Sequence, residues 1–507
     1  MAFKMEIDRR KSINEMIKSS FWAYAGIFFI LFLGLISTVI LARLLDKENW
    51  GILSTIIAVV SFLSSISEIG LNYYIVYISS KYDKSKKELK EKLASPLRWK
   101  LTIIFLIAFL MFIFSENIAS FFNMQDGAKY FQAGSIYFIF YNLFIVLSGI
   151  LDGIKKFREE SIISTINQLL RLILSAGLVI LGFGIDGAII GYIISVVIVT
   201  FIQSYILRNL ISFSGKDEDS LQDMFSFGFF YGITSIAATF TMWTDSIMIG
   251  FFLGTTSVGI YRIAVSIASS SSSLLSGISK VSFPYFTSAE SEGKDSFENL
   301  NKAIKYLLFI SLPAVFGLAL LSDSIVNVFF GLQYIDAAFP LMILSYFIFD
   351  GVITGMINSY LGAKKLTKQI GICAVLASVI NITLNLILIP IIGIIGAAIA
   401  SVVSRALGLV VMVKWSEKIL KVRFIFPIKV PLLSSLIMAG AILLLRLFFD
   451  PGTSFINLFL FILFGISIYL ITANILGFKV LDFITKILNA LVPQKILRSV
   501  PYLNKIE

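Results

Sequence analysis

Apolar runs of about 20 residues recur along the whole of this 507-residue chain and constrain its fold more than any other feature. A helix of that length crosses the roughly 30 Å of hydrocarbon in a membrane. With 57% hydrophobic and only 14% charged residues, the chain has too little polar surface for a soluble protein. Ten-residue alternating segments, the pattern of an outer-membrane barrel, are absent. The sequence therefore predicts an all-α polytopic membrane protein with about fourteen transmembrane helices.

The second half of the sequence repeats the first. The stretch Leu45-Asp-Lys-Glu-Asn-Trp-Gly51 matches Leu253-Gly-Thr-Thr-Ser-Val-Gly259, 208 positions later, and further matches follow in order at nearly the same offset. Each copy holds six spans, an even number, so the copies share one orientation and should enclose a cavity around an axis along the membrane normal. The predicted units are two six-helix bundles, transmembrane helices 13 and 14, and a cytoplasmic amphipathic tail: residues 1–215, 216–425, 426–477 and 478–507.

The distribution of positive charge predicts the orientation. Most of the 42 lysines and arginines fall in the loops of one side of the membrane. The opposite side keeps only Arg43, Lys47, Lys129 and Arg446. Because positive charge is retained in cytoplasmic loops, both termini are expected in the cytoplasm, and the protein in the cell membrane. The net charge of +11 then needs no nucleic acid partner.

Charged residues inside the apolar runs indicate a polar site. Each costs about 2.5–3.5 kcal/mol near the membrane centre, so it should face water or the protein interior. At about 1.5 Å per residue, Arg171, Arg405 and Asp350 lie about 16–20 Å deep in their spans. The same helix faces carry further polar residues at helical spacing: Asn167, Gln168 and Asn358. These stripes predict a hydrated cavity. The alternative is that Asp350 and Arg405 pair within one half and hold helices together.

A second group of charges lies nearer the membrane faces. Asp245 and Arg262 stand at similar depth in consecutive spans, which predicts an ion pair that serves either coupling and gating or as a structural clasp. Glu68 falls in the inner third of the second span. The repeat positions of Asp245 and Glu68 are Ser37 and Ser276, so the two halves are expected to play unequal roles.

Several kinds of chemistry are excluded. The chain has no histidine, a single cysteine (Cys373) and no Walker-type loop, so a metal site, a cofactor and ATP hydrolysis are not expected. No loop is long enough to hold the site of a membrane glycosyltransferase or polymerase. The remaining class is a transporter rather than an enzyme, driven by an ion gradient or running downhill.

Two motifs resemble a known family. Ala42-Arg-Leu-Leu-Asp-Lys-Glu-Asn-Trp-Gly51 is similar to the "ARxLGPxxYG" ending of the first helix in polysaccharide-type lipid flippases, although Asp46-Lys47 replaces the Gly-Pro. The stretch 245–264 resembles their junction between helices seven and eight, and fourteen spans match their six-plus-six-plus-two arrangement. The resemblance covers the whole chain and indicates the Wzx-like branch of the multidrug/oligosaccharidyl-lipid/polysaccharide transporter superfamily.

The resemblance implies a flippase that moves a polyprenyl-diphosphate-linked oligosaccharide from the inner to the outer leaflet by alternating access, for cell-surface polysaccharide or glycan biosynthesis. Because arginine presents a planar donor fork to phosphate, we expect Arg171 and Arg405 to bind the diphosphate. The sugars would contact the polar stripes: Asn167, Gln168, Asp350 and Asn358. Asp245, Asp350 or Glu68 would take a proton or a sodium ion. Expected partners are membrane lipids and a polysaccharide polymerase or glycosyltransferase, with the transporter itself a monomer.

Other functions fit the sequence less well. A peptidoglycan-precursor (lipid II) flippase shares the chemistry and is poorly separated from the first interpretation. A cation-coupled multidrug antiporter of the same superfamily would need an acidic cavity, whereas the central charges here are two arginines and one aspartate. A membrane scaffold without transport activity would not need charged stripes that differ between the halves.

Overall fold

The computed structural model describes residues 26–68, 70–212, 221–292 and 296–480. Within these ranges the secondary structure is helical, and no strand occurs. The helices of the first half are α1 (Gly26–Leu44), α2 (Lys47–Glu68), α3 (Leu71–Lys81), α4 (Lys86–Ile113), α5 (Ser115–Phe121), α6 (Ala128–Gly153), α7 (Phe157–Leu178), a π-helical segment (Val179–Phe183) and α8 (Gly184–Leu207).

The second half repeats this order, and two further long helices follow it. Its helices are α9 (Leu221–Leu253), α10 (Thr255–Ser291), α11 (Phe297–Leu320), α12 (Ser322–Phe330), a 3₁₀ turn (Leu332–Ala337), α13 (Ala338–Leu344), α14 (Tyr346–Ala363), α15 (Thr367–Ile392) and α16 (Ile394–Leu420). The chain then forms α17 (Lys429–Arg446), a short 3₁₀ turn (Pro451–Thr453) and α18 (Phe455–Ile475).

The predicted all-α polytopic fold is confirmed. Among the described residues, 12 helical segments are long and apolar enough to cross a membrane. The longest, Phe157–Leu207, contains both α7 and α8 and bends where Gly182 and Gly184 have φ of 93° and 53°. Only glycine adopts such left-handed conformations at low cost, so the chain reverses there. The number of fourteen crossings and the domain boundaries stay predictions. Of the predicted tail 478–507, residues 481–507 lie outside the described part of the chain.

The basic segment 81–100 is largely helical. Residues 86–100 belong to α4, which begins at Lys86, after the N-cap Ser85. Lys100 is therefore inside the helix and only 1% exposed. Its ammonium donates hydrogen bonds to the Ser67 carbonyl (2.8 Å) and hydroxyl (3.1 Å) near the end of α2. A buried charge is tolerated there because free carbonyls at a helix terminus attract a cation.

The two halves are joined at one end of the molecule. Arg43, near the end of α1, donates from Nε to the Phe329 carbonyl and from Nη2 to the Val328 carbonyl, both at 2.6 Å. The Tyr334 hydroxyl donates to the Ala42 carbonyl at 2.9 Å. We call this contact of α1 with α12 and its following turn the closed end; the charge distribution predicts that it faces away from the cytoplasm.

Candidate functional site

A cavity of about 230 Å³, here cavity A, lies between helices of both halves. Its lining combines two arginines with tyrosine, tryptophan and serine side chains. The described lining residues are Thr38, Trp50, Ser54, Ile57, Ser61, Tyr137, Tyr141, Arg171, Tyr192, Trp243, Arg262 and Ser266. None of them is acidic, so the formal charge of the lining is positive.

Arg171 enters cavity A from α7. Its Nη2 donates a hydrogen bond to the Gln168 side-chain oxygen one helical turn earlier. Its guanidinium carbon lies 5.0 Å from the centre of the Tyr192 ring, which is a cation–π contact. Its Nε is buried without a hydrogen-bond partner among the described residues. The predicted neighbour Asn167 has a buried side-chain oxygen that likewise lacks a partner, and it is not part of the cavity lining.

Arg262 enters cavity A from α10. Its guanidinium carbon lies 4.1 Å from the ring centre of Trp243 on α9. Its Nη1 is buried, and no hydrogen bond from this side chain is formed within the described part of the chain. Both arginines thus contact aromatic rings, and no described carboxylate lies within ion-pair distance of either, although the charge of Asp245 acts on Arg262 over a longer distance. Since a buried charge without a bound counter-charge is costly, the cavity is suited to an anion.

The predicted ion pair between Asp245 and Arg262 is not formed between these two described residues. Asp245 is 4% exposed, and its oxygens accept hydrogen bonds from other side chains. The donors are the Tyr261 hydroxyl (2.7 Å), the Asn385 amide (2.7 Å) and the Ser401 hydroxyl (2.5 Å). Matching depth did not bring the charges together because residues 243 and 245 point about 200° apart on α9. Trp243, not Asp245, faces Arg262.

A second cavity of about 250 Å³, cavity B, lies within the second half. Arg405 Nη1 and Asp350 Oδ2 are 3.2 Å apart there, and the Thr354 hydroxyl donates to Asp350 at 2.9 Å. The Arg405 guanidinium carbon also lies 4.1 Å from the Phe347 ring centre. Asn358, predicted to line the same stripe, has a buried side-chain oxygen without a partner. The alternative interpretation, an ion pair within one half, therefore describes Arg405 correctly.

Contrary to expectation, Arg171 and Arg405 do not line the same cavity. Among the described residues, no lining residue is common to cavities A and B. Helix α9 separates them, with Trp243 in the lining of A and Thr241 in that of B. Glu68, the last residue of α2, is in neither lining, and it interacts electrostatically with the buried Lys100.

The aromatic lining of cavity A was missed from the sequence. Tyr137 and Tyr141 are one turn apart on α6, and their rings stack at 5.4 Å. Tyr192 meets Tyr137 edge-on at 5.8 Å. This spacing was the available signal, because aromatic residues one turn apart share a helix face. Such rings can hold cationic side chains on one side and offer sugar-binding surfaces on the other.

A polytopic helical protein with a positively lined cavity between two repeated halves is a membrane transporter in its architecture. The sequence profile of the family described as "Polysaccharide biosynthesis protein" matches residues 40–339, and the chain belongs to this family. The expected relationship with Wzx-like members of the multidrug/oligosaccharidyl-lipid/polysaccharide transporter superfamily is thereby confirmed.

Curated relatives and a solved structure agree with this membership. "Probable low-salt glycan biosynthesis flippase Agl15" of Haloferax volcanii is 24% identical over 386 residues, 75% of this chain and 79% of the relative. "Putative O-antigen transporter" of Shigella flexneri is 23% identical over 397 residues, 76% and 94% of the two chains. The solved structure "Lipid II flippase MurJ, inward closed conformation" has the same fold, with a TM-score of 0.76 at 22% identity over 90% and 98% of the chains.

Proposed function

We propose that this protein translocates a polyprenyl-diphosphate-linked oligosaccharide from the inner to the outer leaflet of the cell membrane by alternating access. The observation that carries the proposal is the pair Arg171 and Arg262 in cavity A, neither within ion-pair distance of a described carboxylate. The names of the relatives in Haloferax and Shigella support a glycan-linked lipid as the substrate. In this proposal both termini lie in the cytoplasm and the protein performs no covalent chemistry.

The diphosphate binds between the two arginines. Each guanidinium offers several N–H donors in a plane, which matches the oxygens of a phosphate. Gln168 holds Arg171 in place by accepting one of its hydrogen bonds. At about 230 Å³ the cavity is smaller than the 300–1,000 Å³ usual for drug-sized ligands, so it accommodates the charged headgroup rather than the whole glycan. The lipid tail remains in the bilayer.

This proposal changes the predicted role of Arg405. Its charge is already matched by Asp350, so Arg262 replaces it as the second ligand of the diphosphate. The sugar contacts of Asn167, Asp350 and Asn358 stay predictions. For the contacts with Asp350 and Asn358, the sugars would have to enter cavity B.

Asp245 is the residue proposed to bind the coupling ion. It is a buried carboxylate, and no lysine or arginine nitrogen lies within 4.0 Å of it in the described part of the chain. Asn385 adds a buried side-chain oxygen without a partner at the same place. In this proposal the Asp245 carboxylate, which has no basic side chain within ion-pair distance, binds a proton or a small cation such as sodium as its counter-charge. Either ion would neutralise Asp245 during the transport cycle.

The positive cavity argues against the antiporter alternative. An exporter of cationic drugs requires negative charge where its substrate binds, and no described lining residue of cavity A is acidic. A lipid II flippase would use the same diphosphate chemistry. The two flippase functions are separated by the sugar on the transported lipid.

The test is transfer of a fluorescent polyprenyl-diphosphate sugar across proteoliposomes, followed by its accessibility to a membrane-impermeant quencher. We expect faster transfer than in protein-free vesicles, and a loss of at least about tenfold in Arg171→Gln and Arg262→Gln. Arg208→Gln is the matched control, because Arg208 also stacks on a ring, that of Tyr205 at 4.1 Å, but is exposed. Transfer no faster than in empty vesicles, or equal rates in all three variants, would contradict the proposal.

A further inference from the structure

Tyr261 connects the buried carboxylate of Asp245 with cavity A. Its side chain is fully buried (0% exposed), and its hydroxyl donates to Asp245 Oδ2 at 2.7 Å. The next residue along α10 is Arg262, which lines cavity A. Successive residues on a helix point about 100° apart, so Tyr261 and Arg262 face two different sites from one short segment.

The facing helix has the same arrangement. On α9, Trp243 lines cavity A and stacks on Arg262, while Asp245, two residues later, accepts the bond from Tyr261. The helices are thus joined by two neighbouring contacts, one in each site. A shift of α10 relative to α9 that breaks one contact also changes the other.

We propose that Tyr261 is the positioning residue through which a cation at Asp245 changes the affinity of cavity A for the diphosphate. The inference rests on the proposed function. When Asp245 takes up a proton or a monovalent cation, its oxygens become poorer acceptors and the hydrogen bond from Tyr261 weakens. Helix α10 is then free to move, Arg262 leaves the Trp243 ring, and its guanidinium becomes available to the phosphate oxygens.

The other two donors to Asp245 cannot carry this effect. Asn385 belongs to α15 and Ser401 to α16, and neither helix contributes a described residue to the lining of cavity A. Ser401 donates to the same oxygen, Oδ2, as Tyr261 does. It therefore serves as a matched control: it supports the ion site equally but has no neighbour in cavity A.

The experiment measures binding of farnesyl diphosphate to the full-length protein in lipid nanodiscs, with sodium or with choline, and across a pH series. We expect the natural protein to bind the probe at least about fivefold more tightly when Asp245 holds its cation, that is in sodium rather than choline or at the lower pH, which is within the range typical of coupled sites. By thermodynamic linkage the probe must tighten cation binding by the same factor. Sodium dependence at fixed pH identifies sodium. Because the diphosphate of the probe itself titrates, pH dependence in choline identifies the proton when Asp245→Asn abolishes it.

Tyr261→Phe keeps the ring but removes the hydroxyl, and its cation effect should fall below about twofold. Ser401→Ala should need a higher cation concentration to reach the same effect. Its ratio of probe affinities with and without cation should equal that of the natural protein. Asp245→Asn, which cannot ionise, should bind the probe equally with and without cation. Thermal melting of each variant establishes that it is folded.

A full cation effect in Tyr261→Phe, an equal loss in Ser401→Ala, or no cation effect in the natural protein would overturn the role of Tyr261. Failure of the proposed function has a different result. Arg171→Gln and Arg262→Gln would then bind the probe as tightly as the natural protein, whatever the cation ratio.

Discussion

Gly51 and Gly259, which occupy matching positions in the two sequence repeats, lie against each other where α2 meets α10. A Cβ added at Gly259 would lie 2.9 Å from Gly51 Cα, and one at Gly51 would lie 2.2 Å from the Thr255 carbonyl oxygen. The Trp50 indole donates to the Gly259 carbonyl at 3.1 Å across the same contact. The two halves therefore meet through equivalent residues, and the approach of their backbones requires glycine.

Alanine at this contact should separate the two halves. We expect Gly259→Ala to lower the melting temperature and the transport rate, because the clash involves backbone atoms that cannot move aside. Thermal unfolding in detergent and the proteoliposome assay measure both effects. Gly277→Ala is the control on the same helix, since its added Cβ meets no atom within 4 Å. Equal stability of the two variants would show that the close approach is not required.

The sequence predicted this relationship between the halves better than it predicted the site. Matching motifs around Gly51 and Gly259 revealed the repeat, and neighbours within one helix were also predictable, such as Gln168 with Arg171 one turn apart. Residue number gives depth along a helix. It does not give the rotation of one helix against another, which is set by the packing of many side chains. For that reason the predicted ion pair between Arg262 and Asp245 was wrong.

The closed end should depend on Arg43. Its two hydrogen bonds go to backbone carbonyls of α12, which lose a charged donor in Arg43→Gln. We expect this variant to populate states in which the end is open. Spin labels at Lys47→Cys and Asp336→Cys, residues joined by a 3.7 Å ion pair, report the separation in a Cys373→Ser background.

A longer and broader distance distribution is expected in Arg43→Gln. Tyr334→Phe provides a graded comparison, because it removes one neutral hydrogen bond from the same contact. An unchanged distribution in Arg43→Gln would mean that apolar packing alone holds this end closed.

Lys100 should stabilise the end of α2. Besides its bonds to Ser67, it supports a network in which Ser67 donates to Asn142 at 2.8 Å. Lys100→Met leaves the buried Ser67 carbonyl and hydroxyl oxygens without the donor that Lys100 supplies, and should lower the free energy of unfolding by about 1–3 kcal/mol. Denaturation in detergent measures the loss. Lys90→Met, an exposed position on the same helix, should be neutral; equal effects would contradict a specific role for Lys100.

The ion pair in cavity B should control access to Cys373, the single cysteine of the chain. Its side chain is 5% exposed, so a small methanethiosulfonate reagent should modify it slowly in the natural protein. Asp350→Asn leaves the Arg405 guanidinium without its counter-charge, and an unpaired buried charge draws in water. We therefore expect modification to become several-fold faster. Thr354→Val removes only a neutral hydrogen bond to Asp350 and should change the rate little.

An equal rate in Asp350→Asn and the natural protein would mean that helix packing, not the ion pair, excludes water. Added farnesyl diphosphate should not slow the modification of Cys373 in Asp350→Asn, because cavity B is separate from the diphosphate site.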